Sequence, residues 1–100
     1  MQKQDTATVV RREIELSDTV DAMASNDYKE RFRAEYFQTK IRYDKLHKML
    51  IKLEAGTLNF TPSCSKDLLE QQAFCMGKYL HCLEVRAEVE KIDLSKPLKF

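Results

Sequence analysis

The sequence predicts an all-α fold: an antiparallel hairpin of two long helices behind a short N-terminal leader, assembling into an oligomeric helical bundle. Three observations carry this expectation. The 100 residues include only two glycines and two prolines, too few to punctuate a many-turned β-fold. Apolar residues recur at alternating steps of four and three through two long segments, the period of a helix buried along one seam. The second of those segments carries more apolar surface than one neighbouring helix covers, and such a surplus calls for a further partner. The length allows one domain, read here as an accessory leader over residues 1–25, a hairpin domain over 26–92 and a tail over 93–100.

The leader mixes β-branched and acidic residues (TATVV, EIELSDTV). Its weak pattern of Ile14, Leu16, Val20 and Met23 suits a short strand or a helical turn, and a short helix around Thr8–Ala24 is the expectation adopted. Ser25 or Asn26 is the expected N-cap of the first long helix, with Asp27 and Glu30 placed where the helix dipole favours negative charge. From there Phe32, Tyr36, Thr39, Tyr43, Leu46, Leu50 and Leu53 form a heptad seam. Gly56 suits the position just past a helix ending near Glu54 or Ala55. In the connector GTLNFTPSCS, Pro62 biases Thr61 away from helix. Leu58 and Phe60 are expected to fold back over the open end of the hairpin. Ser65 then caps a second helix running from about Lys66 to Ile92, which Pro97 cannot continue.

That second helix has two adjacent apolar stripes. Leu69, Ala73, Met76, Leu80, Leu83 and Ala87 step by four and three, and face the first helix. Leu68, Cys75, Cys82 and Val89 step strictly by seven, with Tyr79 between them. Leu68, Cys75, Tyr79, Cys82 and Val89 are therefore the expected oligomer interface, and the acidic leader is a candidate to cover part of the same surplus. Cys75 and Cys82 lie about 10.5 Å apart along the axis, too far for a mutual disulfide. They also lack the three- or four-residue spacing that metal ligands on a helix require. No metal and no cofactor are expected, and these cysteines read as small packing hydrophobes. Cys64, on the connector, is expected to be accessible. Gly77 is costly in a helix interior. It marks either a close helix–helix approach or room for a ligand or a partner's backbone.

Catalytic patterns are missing: there is no phosphate-binding glycine loop, nucleophile elbow or HExxH. No enzyme activity and no catalytic residue are expected. No apolar run is long enough for a membrane span, the N-terminus lacks a signal-peptide core, and three cysteines suit a reducing compartment, so a cytoplasmic protein is expected. The net charge of +1 hides an uneven distribution. Residues 26–54 hold eight basic and five acidic side chains, while residues 1–25 hold three and five. Arg42, Lys45, Lys48 and Lys52 recur at helical spacing, and Tyr36 and Tyr43 offer rings for stacking. The low net charge and acidic leader make a poor footprint for genomic nucleic acid. A small anionic nucleotide is the more compatible ligand, with the four cations on its phosphates and Tyr36 or Tyr43 on its base.

The YDKLHKML helix, the EAGTLNFTP connector and LLEQQAFCMGKYLHCLEVR in the second helix resemble a family of small helical-hairpin proteins of bacteriophages and prophages. The resemblance covers roughly residues 26–92. In size and hairpin plan the chain is also similar to phage sponge proteins of the anti-CBASS and anti-Thoeris kind, which oligomerise and sequester cyclic oligonucleotide immune signals. It implies a phage-encoded anti-defence protein acting as a homo-oligomer in the host bacterial cytoplasm. Two rival expectations stand beside it. One is an inhibitor that docks on a host defence protein, as anti-CRISPR proteins do, for which the leader's composition speaks. The other is a structural phage component.

Overall fold

A computed structural model of the chain describes residues 14–98. All regular structure among them is helical: a 3-10 turn at Leu16–Thr19, then α1 at Val20–Met23, α2 at Tyr28–Ala55 and α3 at Lys66–Glu90. The helix expected around Thr8–Ala24 is present in its last part, and its first part falls outside the described residues. Glu15 and Asp18 cap the 3-10 turn reciprocally, Glu15 N donating to Asp18 Oδ2 at 2.9 Å. Thr19 is fully buried, its hydroxyl donating to the Leu16 carbonyl at 2.7 Å.

Local chemistry sets both ends of the long helices. Asp27, not Ser25 or Asn26, is the N-cap of α2, its Oδ1 accepting from Lys29 N at 2.9 Å. Ser25 supports the cap instead, its Oγ accepting from Asp27 N at 3.0 Å. At the other end Gly56 takes φ +77°, which lets Thr57 N reach the Lys52 carbonyl at 2.9 Å and closes the helix with a Schellman turn. Ser65 caps α3 as the sequence predicts, accepting from Leu68 N at 3.2 Å. α3 ends by the same device without a glycine: Lys91 adopts φ 59° and Ile92 N donates to the Ala87 carbonyl at 2.8 Å.

α2 and α3 pack as the hairpin, but the seam is not buried evenly. Phe32, Leu83, Ala87 and Ile92 form the core cluster, with Tyr36 and Leu94 against it. Leu80 and Leu98 are buried too. All of these lie toward the α2 N-terminus and the α3 C-terminus. Toward the connector Leu46, Leu50, Leu53, Leu69, Ala73 and Met76 are only half-buried.

The core is dense at one end because the tail returns there, a feature absent from the sequence expectation. Arg33 is buried on α2. Its Nε donates to the Asp93 carbonyl at 3.0 Å, and its Nη2 donates to the carbonyls of Pro97, at 3.0 Å, and Lys96. Nη1 pairs with Glu30 Oε2 at 2.8 Å. The forked guanidinium thus satisfies three carbonyls that no helix or strand serves. Ser95 tightens the same bend by donating its amide and hydroxyl to Asp93 Oδ1.

Two further ties cross the hairpin. Tyr28 donates to Glu90 Oε1 at 2.7 Å and accepts from Arg86 Nη2 at 2.6 Å, while the Arg86 guanidinium carbon lies 4.8 Å from the centre of the Phe32 ring. Tyr36 donates to Glu84 Oε2 at 3.0 Å. Its partial burial, and then the Glu84 carboxylate, push its pKa up to about 12. The hydroxyl therefore stays protonated through the physiological range. Any stability it adds is intact below its ordinary pKa near 10 and is lost as pH rises through about 12.

Two expectations need correction here. The described part of the leader does not cover α3; the 3-10 turn and α1 pack against α2, and residues 1–13 lie outside the described residues. Nor do the cysteines sit in the hairpin core, since Cys75 and Cys82 are exposed, as Cys64 was expected to be. The Leu69–Ala87 seam claims the face toward α2, and the seven-step stripe is left outside. Leu68 is 54% exposed and Val89 75%. No helix among the described residues is long and apolar enough to cross a membrane.

Candidate functional site

The four cations of the α2 stripe, Arg42, Lys45, Lys48 and Lys52, are all exposed. Three of them converge on one groove. Lys45, Lys48 and Lys52 line a space of about 330 Å³ with Met49, and the connector supplies the opposite wall through Thr57, Leu58, Asn59 and Phe60. The Schellman turn at Gly56 places that wall, because it reverses the chain where α2 ends and lays the next residues beside its last turns. A second groove of about 410 Å³ continues past Lys45 and Lys48, lined by Ile14, Glu15, Ile41 and Asp44. The leader therefore contributes an acidic wall to one side of the stripe, and the connector an aromatic wall to the other. Arg42 lines neither groove.

Phe60 changes role between sequence and structure. As a cap over the hairpin end it was expected to be covered, but it is 55% exposed, while Leu58 is half-buried. Leu58 and Phe60 both line the lysine groove, with Phe60 the more exposed of the two where the connector bends at Asn59 and Phe60.

The tyrosines are placed elsewhere. At 100° per residue, Tyr36 and Tyr43 lie between about 100° and 180° around α2 from Lys45, Lys48, Lys52 and Arg42. Tyr36 is engaged with Glu84 across the hairpin. Tyr43 stacks on His47, with ring centres 5.9 Å apart and planes at 4°, and Lys40 Nζ lies 5.8 Å from its ring centre. Tyr43 lines a separate groove of about 380 Å³ with Ala73, Phe74, Gly77, Lys78, His81 and Cys82. One chain thus brings three of the predicted cations together and sets both predicted tyrosines on the other side of the helix. A site using all six needs a second chain.

Gly77 faces Tyr43, and a Cβ built on it would sit 3.7 Å from Tyr43 Cε1, an ordinary contact. No close helix approach within the chain demands a glycine. Gly77→Ala is therefore expected to raise the stability of the chain by about 0.5–1 kcal/mol, read from denaturant unfolding at fixed protein concentration. A loss of stability would mean that the hairpin is tighter at this point than its geometry shows.

Among the described residues no group of three or more His, Cys, Asp or Glu side chains is placed to hold a metal ion. The chemistry on offer is electrostatic and stacking: ammonium groups for an anion, with an aromatic face beside them.

Residues 26–89 match the family model of Sequestin. The match covers more than half of the chain, from the N-cap region of α2 to the last turn of α3, and the chain belongs to the Sequestin family. The described part of the leader and the tail held by Arg33 lie outside the matched span. The family's name denotes sequestration. No curated protein and no solved structure matches the chain.

Proposed function

We propose that this Sequestin-family protein is a phage-encoded, non-enzymatic anti-defence protein. It self-associates in the host cytoplasm and sequesters a small nucleotide immune signal, of the cyclic oligonucleotide class. The observation that carries the ligand class is the groove where Lys45, Lys48 and Lys52 meet the exposed ring of Phe60. Ammonium groups attract phosphates, and an aromatic face stacks a base whatever its identity. The Asn59 amide, on the same wall, supplies a donor and an acceptor for a base edge. Arg42 adds long-range attraction from the same helix. Tyr36 and Tyr43 enter only where a neighbouring chain brings its own lysine groove to them. Family membership supports the mode of action, capture rather than turnover.

Isothermal titration calorimetry with a panel of cyclic di- and trinucleotides tests the reading. At least one member should release heat at low salt and bind more weakly as salt screens the lysines. Lys45→Glu with Lys48→Glu should weaken that ligand at least 100-fold, and Phe60→Ala by roughly 10-fold or more, the range of one lost base stack. No heat from any nucleotide, at concentrations where the assembly is intact, overturns the proposal.

A further inference from the structure

We infer that α3 pairs antiparallel with α3 of a second copy, in a register that sets Cys75 of each chain beside Cys82 of the other. The inference rests on the self-association in the reading above and adds its geometry. It begins with the surface that the fold leaves uncovered. Phe74 is 66% exposed, Val85 49% and Tyr79 43%, alongside Leu68, Cys75, Cys82 and Val89. At 100° per residue all seven fall within one arc of about 140°. With buried aromatics contributing 150–250 Å² each, the exposed fractions amount to an apolar strip on the order of 500 Å² per copy. A symmetric pair then buries about 1,000 Å², the area at which a specific interface begins.

The occupant follows from how the strip matches itself. Run antiparallel about a two-fold axis between Lys78 and Tyr79, Leu68 meets Val89 of the second copy and Cys75 meets Cys82. Gln71 falls opposite Arg86, and Lys78 opposite Tyr79. Apolar groups face apolar groups, while each cation keeps a partner in its own chain: the Arg86 guanidinium holds Glu90 and Tyr28, and Lys78 Nζ lies 5.0 Å from the centre of the Phe74 ring. Phe74 falls near Val85 of the second copy twice along one edge of the strip, once toward each end. A two-fold contact must be complementary to itself in this way. Parallel, in-register pairing instead sets Lys78 against Lys78 along the seam, a like-charge contact that the antiparallel arrangement avoids. The described parts of the leader and tail leave the strip clear, since one packs on α2 and the other is tied to Arg33.

Cross-linking tests the register. In a Cys64→Ser background, oxidation with copper phenanthroline should give a covalent dimer, because facing seam positions lie within the roughly 7 Å reach of a disulfide. Adding Cys75→Ser or Cys82→Ser should abolish the dimer, and mixing those two single-thiol proteins should restore it. A dimer from either single-thiol protein alone overturns the antiparallel register. No dimer from the Cys64→Ser protein, while light scattering reports a multimer, means that another surface joins the copies. A monomer by light scattering removes the self-association itself. Nucleotide binding is read separately by calorimetry, so each failure is distinguishable.

Discussion

Arg33→Ala destabilises the chain by about 3 kcal/mol, the range for removing a buried, multiply bonded charge and leaving its partners unpaired. For a domain of this size each kcal/mol moves the midpoint by roughly 4–8 °C, so thermal unfolding should shift down by about 12–24 °C. The cause is specific. Arg33 is the single side chain among the described residues that bonds the carbonyls of Asp93, Lys96 and Pro97, and those bonds hold Ile92, Leu94 and Leu98 against the core end of the hairpin. Without the guanidinium the carbonyls hydrate, the tail lifts, and Phe32 and Leu83 lose their cover. Arg33→Lys should recover only a minor part of the loss, since an ammonium keeps the charge but donates from a single nitrogen and cannot span the carbonyls that Nε and Nη2 reach separately. Both variants are compared by thermal and urea unfolding at equal protein concentration, because the midpoint of any self-associating chain depends on concentration. A shift of less than about 0.5 kcal/mol, the scale of an ordinary surface change, would show that the tail is held by its apolar residues alone.

On the proposed α3 pairing, Leu68→Glu with Val89→Glu should leave only single chains. These residues are 54% and 75% exposed in one chain, so they contribute little to the hairpin's own core, and the pair should fold with near-unchanged helicity. In the antiparallel register each introduced carboxylate faces another across the seam, at both ends of the strip. Desolvation and like charge then act together, and the cost of several kcal/mol amounts to at least 100-fold in the association constant. Multi-angle light scattering checks the result: the parent protein runs at a multiple of the chain mass and the variant at the chain mass. Equal multimer masses for the two would move the interface away from α3, and a parent protein at the chain mass would remove the assembly.

The hairpin was legible because its determinants are local. The alternating four- and three-residue steps, the Ser65 cap and the Gly56 terminator are each read within a few residues, and each appears where the pattern puts it. The seven-step stripe was equally legible, and its exposure follows from α3 facing only α2 among the described residues. What escaped depends on where distant segments travel. Arg33 looks like one more surface cation until the tail, some sixty residues later, is brought across it. The docking of the 3-10 turn and α1 on α2 rather than α3 turns on which apolar strip they meet in space, which residue spacing does not encode. The site divides in the same way. Lys45, Lys48 and Lys52 share a face by helical period alone. Phe60 joins them through the path of the connector, whereas Tyr36 and Tyr43, close in sequence, are turned to the other side.

Capture without turnover is what most needs proof, and it can be seen directly. The protein, in excess, is mixed with the cyclic nucleotide that calorimetry selects and passed through a membrane that retains protein. The retained fraction is then heat-denatured and filtered again. The account predicts a first filtrate emptied of nucleotide and a second containing it chemically unchanged. Nucleotide passing freely the first time, or emerging cleaved the second, contradicts it.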